Sequence, residues 1–180
     1  LPLGALTKGL QGQTLASMAG LASAGCVAFS QASQPVTDLQ SLYRAMQYAA
    51  TYDFAVWLRP QDYQLAKDGV AHDGEMAARL GLAGIPVAAE TVAIATLIEL
   101  AKSTGVRLHL MRLSSAAGVA MVREAKARGV AVSCDVAAHH LHLAEEDIGY
   151  FNAQARFDPP LRSVADRAAL RFGLAEGVIQ

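Results

Sequence analysis

The stretch VRLHLMRLSS (residues 106–115) decides the fold. Its apolar residues form a short buried-strand run. The two serines that end it are helix-capping residues, and the helical pattern AAGVAMVREAKARG follows at once. A strand feeding directly into a capped helix is the repeating unit of a parallel α/β protein. In such folds the groups at the C-terminal ends of the strands, and in the loops beyond them, build the functional site. The last polar side chain before the cap, Arg112, therefore stands where chemistry is expected, and it is an arginine.

Working outward, the same unit recurs. CVAFS (26–30) reads as a strand, followed by a helix in PVTDLQSLYRAMQYAATYD (35–53) with Leu39, Leu42, Met46 and Ala49 at helical spacing behind a Thr37 cap. FAVWLRP (54–60) is a second strand, stopped by Pro60. Helices are expected in DGEMAARLGL (73–82) and AAETVAIATLIELAKSTG (88–105), the latter ended by Lys102 and Gly105. After the central unit come a strand in VAVSCDV (130–136), the helix-breaking FDPPLR (157–162) and a capped helix in SVADRAALRFGLAEG (163–177). The order contains no hairpin signal, so the strands should form a parallel sheet covered by helices. An open doubly wound sheet and a closed barrel fit this pattern equally. One domain, residues 1–180, without internal repeat is the simplest description.

The bulk properties narrow the function. The 180 residues are 53% apolar, with 15 basic against 16 acidic groups. The basic residues do not cluster, which argues against a nucleic-acid or anionic-membrane surface. No apolar run approaches the ~20 residues of a membrane helix, and the first residues, LPLGALTKGL, lack a signal-peptide pattern. A cytoplasmic protein is expected, with Cys26 and Cys134 as buried, reduced thiols. Because the chain opens on Leu, a processed product or fragment is also expected.

The expected strand ends carry Ser30 and Gln31, then Arg59, then Arg112, then Asp135. Strand alternation places Ala55, Trp57 and Arg59 on one face, Leu108, Leu110 and Arg112 on another, and Ala131, Ser133 and Asp135 on a third, with His109 opposite to Arg112. Two arginines and a carboxylate either converge on a pocket or simply reach solvent. Of the histidines, His72 falls in a polar turn, His109 stands alone in a strand, and His139, His140 and His142 crowd one short loop. Capping and packing suit them better than metal binding, since ligands must converge from different directions. Neither GxGxxG, GxSxG nor a Walker loop occurs in a suitable context.

Several segments together resemble one family. PLGALTKGLQG, VAFSQASQPV, HDGEMAARLGLAGIPVAAE, LHLMRLSSA, VAVSCDVAAHHLHLAEEDI and FDPPLRSVADRAAL stand in the order and spacing of dihydroorotases of the amidohydrolase superfamily. The resemblance implies a (β/α)8 TIM barrel, present here as a partial barrel of about strands 3–7. Active members use zinc to activate a hydroxide against a dihydropyrimidine ring amide. It also implies where ligands would lie: an acidic residue within Gln31–Ala32, a histidine at Arg59 and another at Arg112. The remaining ligands, a His-x-His and a late aspartate, would lie outside this chain. Arginine stays protonated and offers donors only, so it cannot ligate zinc. Asp158, before PPLR, replaces the asparagine that the family places near substrate.

These departures make Gln31, Ala32, Arg59, Arg112, Asp135 and Asp158 a vestigial pocket with no catalytic or metal-binding residue. Arg59 and Arg112 are expected to stand in for the missing cation and to pair with Asp135, since unpaired buried charges cost several kcal/mol. The expected function is a non-catalytic dihydroorotase-like protein of pyrimidine biosynthesis, without bound cofactor. Its partners are expected to be further copies of itself, aspartate transcarbamoylase, or both, because some bacterial homologues support that enzyme and a partial barrel leaves bare sheet edges. The alternatives are a zinc-dependent cyclic amidohydrolase whose ligands lie elsewhere and a small-carboxylate binding module built on the two arginines.

Overall fold

In the computed structural model, which describes residues 1–35 and 37–180, the chain builds one five-stranded parallel sheet from strands taken in sequence order. β1 (Leu3–Ala5) leads through α1 (Met18–Ser23) to β2 (Ala28–Ser30), and α2 (Leu39–Thr51) returns the chain to β3 (Ala55–Leu58). An excursion follows: α3 (Tyr63–Ala66), then β4 (Ala71–His72), α4 (Glu75–Leu80) and β5 (Gly84–Ile85), in which β4 and β5 pair only with each other. The long α5 (Val87–Thr104) brings the chain back to β6 (Arg107–Leu110), and α6 (Ala116–Ala127) carries it to β7 (Val132–Cys134). The short α7 (Ala138–His142) and α8 (Val164–Ala175) complete it.

The sheet order β1-β2-β3-β6-β7 never reverses. A doubly wound sheet must reverse, because its two halves run outward from a switch point, whereas successive strands added to one side build the wall of a barrel. The ambiguity left by the sequence pattern is thereby resolved in favour of a partial (β/α)8 barrel. The helix-facing side of the wall is apolar: Val56, Leu58, Leu108, Leu110, Val132 and Cys134 are buried in one cluster with Leu42, Met46, Ile94, Leu97, Val122 and Leu170 from the helices. Phe29 packs on this side so closely that a Cβ at Gly4, its neighbour on β1, would lie 2.6 Å from its ring. The other side is a hollow of about 640 Å³ lined in part by Ala55, Trp57, His109 and Ser133.

Local signals place the elements. Asp38, not Thr37, caps α2, accepting from the Gln40 N–H at 2.9 Å; the carboxylate one residue nearer the first turn takes the role. Ser115 caps α6 through the Gly118 N–H, and Ser163 with Asp166 forms a capping box on α8. The HHLHL segment is a one-turn helix, α7, rather than a loop. β1 is an element that the sequence pattern did not indicate. Cys26 and Cys134 are both free thiols, Cys134 fully buried and Cys26 partly exposed. Among the described residues no helix is long and apolar enough to cross a membrane.

Candidate functional site

The strand ends converge as parallel register requires. Trp57, His109 and Ser133 are direct neighbours across β3, β6 and β7, so they share the hollow face. His109 is accordingly not isolated. Its ring lies 4.5 Å from that of Trp57, its Nδ1 is 2.8 Å from Ser133 Oγ, and its Nε2 is 3.1 Å from Asp135 Oδ2. Asp135 also accepts from the Arg112 backbone N–H at 2.5 Å. Burial alone would raise the Asp135 carboxyl, but the His109 and Arg112 hydrogen bonds and their nearby charges hold it below the usual carboxylate value. It is a carboxylate at neutral pH.

Arg112 departs from strand geometry, with φ at 58°, a left-handed value rare outside glycine. Strand alternation therefore ends at Leu110 and does not predict where this side chain goes. Its backbone turns the N–H onto Asp135, while the guanidinium reaches the Asp158 carbonyl oxygen at 3.2 Å and Ser33 Oγ at 3.4 Å. Arg59 forms an ion pair with the Asp158 carboxylate. The expected pairing of both guanidiniums with Asp135 is thus corrected: Asp158, brought in from the segment before α8, is the partner, and Asp135 belongs to His109. Gln31 and Ala32 lie at the end of β2, where Gln31 is buried and accepts from Thr7 Oγ1 at 2.9 Å.

Beneath this rim lies a buried polar network. Glu90, in the first turn of α5, accepts from the backbone N–H groups of Ser114 and Ser115 at 2.9 and 3.0 Å and from both hydroxyls. Arg162 donates from Nε to Ser114 Oγ at 3.1 Å and from Nη1 to the Ile85 carbonyl at 2.6 Å, and meets His72 Nδ1 at 3.0 Å. Burial, then the Arg162 charge, pushes His72 down, which keeps that nitrogen an acceptor. The VAAE, LSS and PPLR segments are thereby held together in space. Strand-end reasoning does not single out Glu90, although an acid on the buried side of an apolar helix is a readable signal. Two of the three histidines of α7 pack as expected, while His142 is exposed: His139 stacks on Phe157 at 4.0 Å, and His140 is buried with Nε2 3.2 Å from the Pro160 carbonyl.

Known proteins resemble this chain in sequence and fold. The family model described as dihydro-orotase-like matches residues 1–117. The chain belongs to the dihydroorotase-like family. A dihydroorotase-like protein of Pseudomonas aeruginosa is 45% identical over 99% of this chain and 42% of its own length, and a dihydroorotase of Pelotomaculum thermopropionicum is 44% identical over the same shares. The chain thus spans about two fifths of the length of these curated relatives. Among solved structures, the L-hydantoinase of Arthrobacter aurescens superposes with a TM-score of 0.79 at 22% identity, over 98% of this chain and 41% of that one. A Saccharomyces cerevisiae dihydroorotase in complex with 5-fluoroorotic acid gives 0.68 at 18%, over 96% and 48%. At such identities the structures speak to the fold alone, and they agree on the parallel α/β barrel.

Proposed function

We propose that this dihydroorotase-like chain is part of a non-catalytic scaffold in pyrimidine biosynthesis that supports aspartate transcarbamoylase. The observation that carries the reading is the Arg59–Asp158 ion pair at the end of β3. Zinc requires several lone-pair donors converging from different directions. Gln31, Arg59 and Arg112 place one amide and two protonated guanidiniums at the strand ends, and His109 and Asp135 spend their facing atoms on each other. This donor set does not fit a divalent cation. The partner rests on family likeness. Further copies of the chain are a second candidate for the same surfaces.

The test uses the whole protein that contains this chain. Elemental analysis should find zinc well below one equivalent, dihydroorotate should not turn over, and the protein should co-elute with aspartate transcarbamoylase from the same source. Stoichiometric zinc together with turnover would overturn the reading in favour of a cyclic amidohydrolase.

A further inference from the structure

Both strand-end guanidiniums are turned on a single residue. Arg59 holds the Asp158 carboxylate and Arg112 donates to the Asp158 carbonyl, yet among the described residues Arg112 has no carboxylate within ion-pair distance. The two halves of the Arg59–Asp158 pair differ in setting: the arginine side chain is 12% exposed and the aspartate 57%. The cation is built into the protein and the anion is presented from outside, as a ligand would be. Beside Arg59 opens a cleft of about 340 Å³ whose walls include Gln31, Ser33 and Gln61 over a floor of Leu42, Leu58 and Leu97. Gln31 is 1% exposed, and while its Oε1 accepts from Thr7, its Nε2 has no partner. Reversing the amide would only leave the Thr7 hydroxyl hydrogen and the Gln31 oxygen unmatched. A buried donor without an acceptor is costly, and it borders the same cleft.

We propose that Arg59, Arg112 and Gln31 form a latent binding site for a small oxyanion, which the Asp158 carboxylate fills as an internal plug. Two guanidiniums offer planar donor forks that match carboxylate or phosphate oxygens. Gln31 and Ser33 add neutral donors, and the leucine floor accepts a short carbon body. The cleft beside Arg59 lies within the size range of small-molecule pockets. The cleft itself is already open, with Asp158 and Arg112 beside it rather than in its lining; release of Asp158 frees the Arg59 fork at the edge of the cleft, so whatever moves the segment before α8 controls anion binding. The inference rests on the reading that arginines stand at these strand ends in place of metal ligands, but the two fail separately: zinc content decides the one and anion response the other.

The experiment titrates the whole protein carrying Asp158→Asn with succinate, inorganic phosphate and chloride at matched ionic strength, read by calorimetry. Removing a plug that fills the site more than nine-tenths of the time should tighten apparent binding by at least about tenfold over the unchanged protein. Chloride should have no such effect, and adding Arg112→Gln to Asp158→Asn should abolish the gain. Succinate alone would assign an organic carboxylate, phosphate alone an inorganic anion, and either supports the site. Asp158→Ala provides the same reading should the asparagine variant not fold. Binding no tighter in either variant than in the unchanged protein, a gain that survives loss of Arg112, an equal gain with chloride, or unfolding of both variants would overturn the proposal.

Discussion

The hydroxyl of Ser114 joins two buried charges, donating to the Glu90 carboxylate and accepting from Arg162 Nε at 3.1 Å. Both charged residues are 3% exposed. Glu90→Ala removes the main counter-charge of Arg162, leaving only the weaker influence of Asp166, and should cost about 3–5 kcal/mol. Ser114→Ala removes one bridge between charges that remain and should cost about 1.5–3 kcal/mol. Urea unfolding of the two variants checks the order; a Ser114→Ala loss equal to that of Glu90→Ala would mean that the carboxylate contributes nothing by itself.

Gly118 is the contact that keeps Glu90 in place. A Cβ there would lie 2.4 Å from Glu90 Oε1 and 3.0 Å from Ile94 Cδ1. The carboxylate oxygen is pinned by Ser115 and cannot swing aside. Gly118→Ala should therefore destabilise by about 1–3 kcal/mol despite alanine's better helix propensity. Thermal unfolding that moved upward in this variant would contradict the packing described.

Acid should weaken the fold through His140. Burial is the main cause of its pKa falling from 6.5 to about 4, so between those values the unfolded chain binds a proton that the folded one refuses. Stability is then fully present above about 6.5 and is lost as pH falls towards 4, by roughly 3 kcal/mol. His72 and His139, also lowered by burial, act in the same direction. Asp135 adds a separate loss at lower pH, because its carboxyl is held down in the folded state. Denaturant midpoints measured from pH 4 to 7 should slope upward, and His140→Gln should flatten that slope.

Restoring one imidazole should not restore metal. Arg112→His supplies a single donor while Arg59 remains a cation at the next strand end. Elemental analysis of this variant should show zinc below one equivalent, and a full equivalent would count against the vestigial reading of the pocket.

The fold was legible wherever local chemistry was strong. The VRLHLMRLSS run, the Ser115 cap, the Ser163 capping box and the apolar spacing of α2 each point to the element that forms. β1 was not, because three residues after a proline carry almost no periodicity. In the site, Arg59 and Arg112 were correctly placed at strand ends, but their partner was not. Asp158 is 99 residues from Arg59 in the chain, and the left-handed turn at Arg112 breaks the alternation used to aim its side chain. His109 is hard to read for a related reason: its partners are Ser133 on the neighbouring strand and Asp135 just past the end of that strand, and only the register reveals them.

The chain has one tryptophan, and it stands on the hollow side of the sheet against His109. Helices fill the opposite side, so anything that comes to lie along the inner wall must approach this indole. The molecule carries its own optical reporter for such an event: a shift in Trp57 emission would register a visitor to the inner wall, whereas contacts confined to the outer helices would leave the signal unchanged.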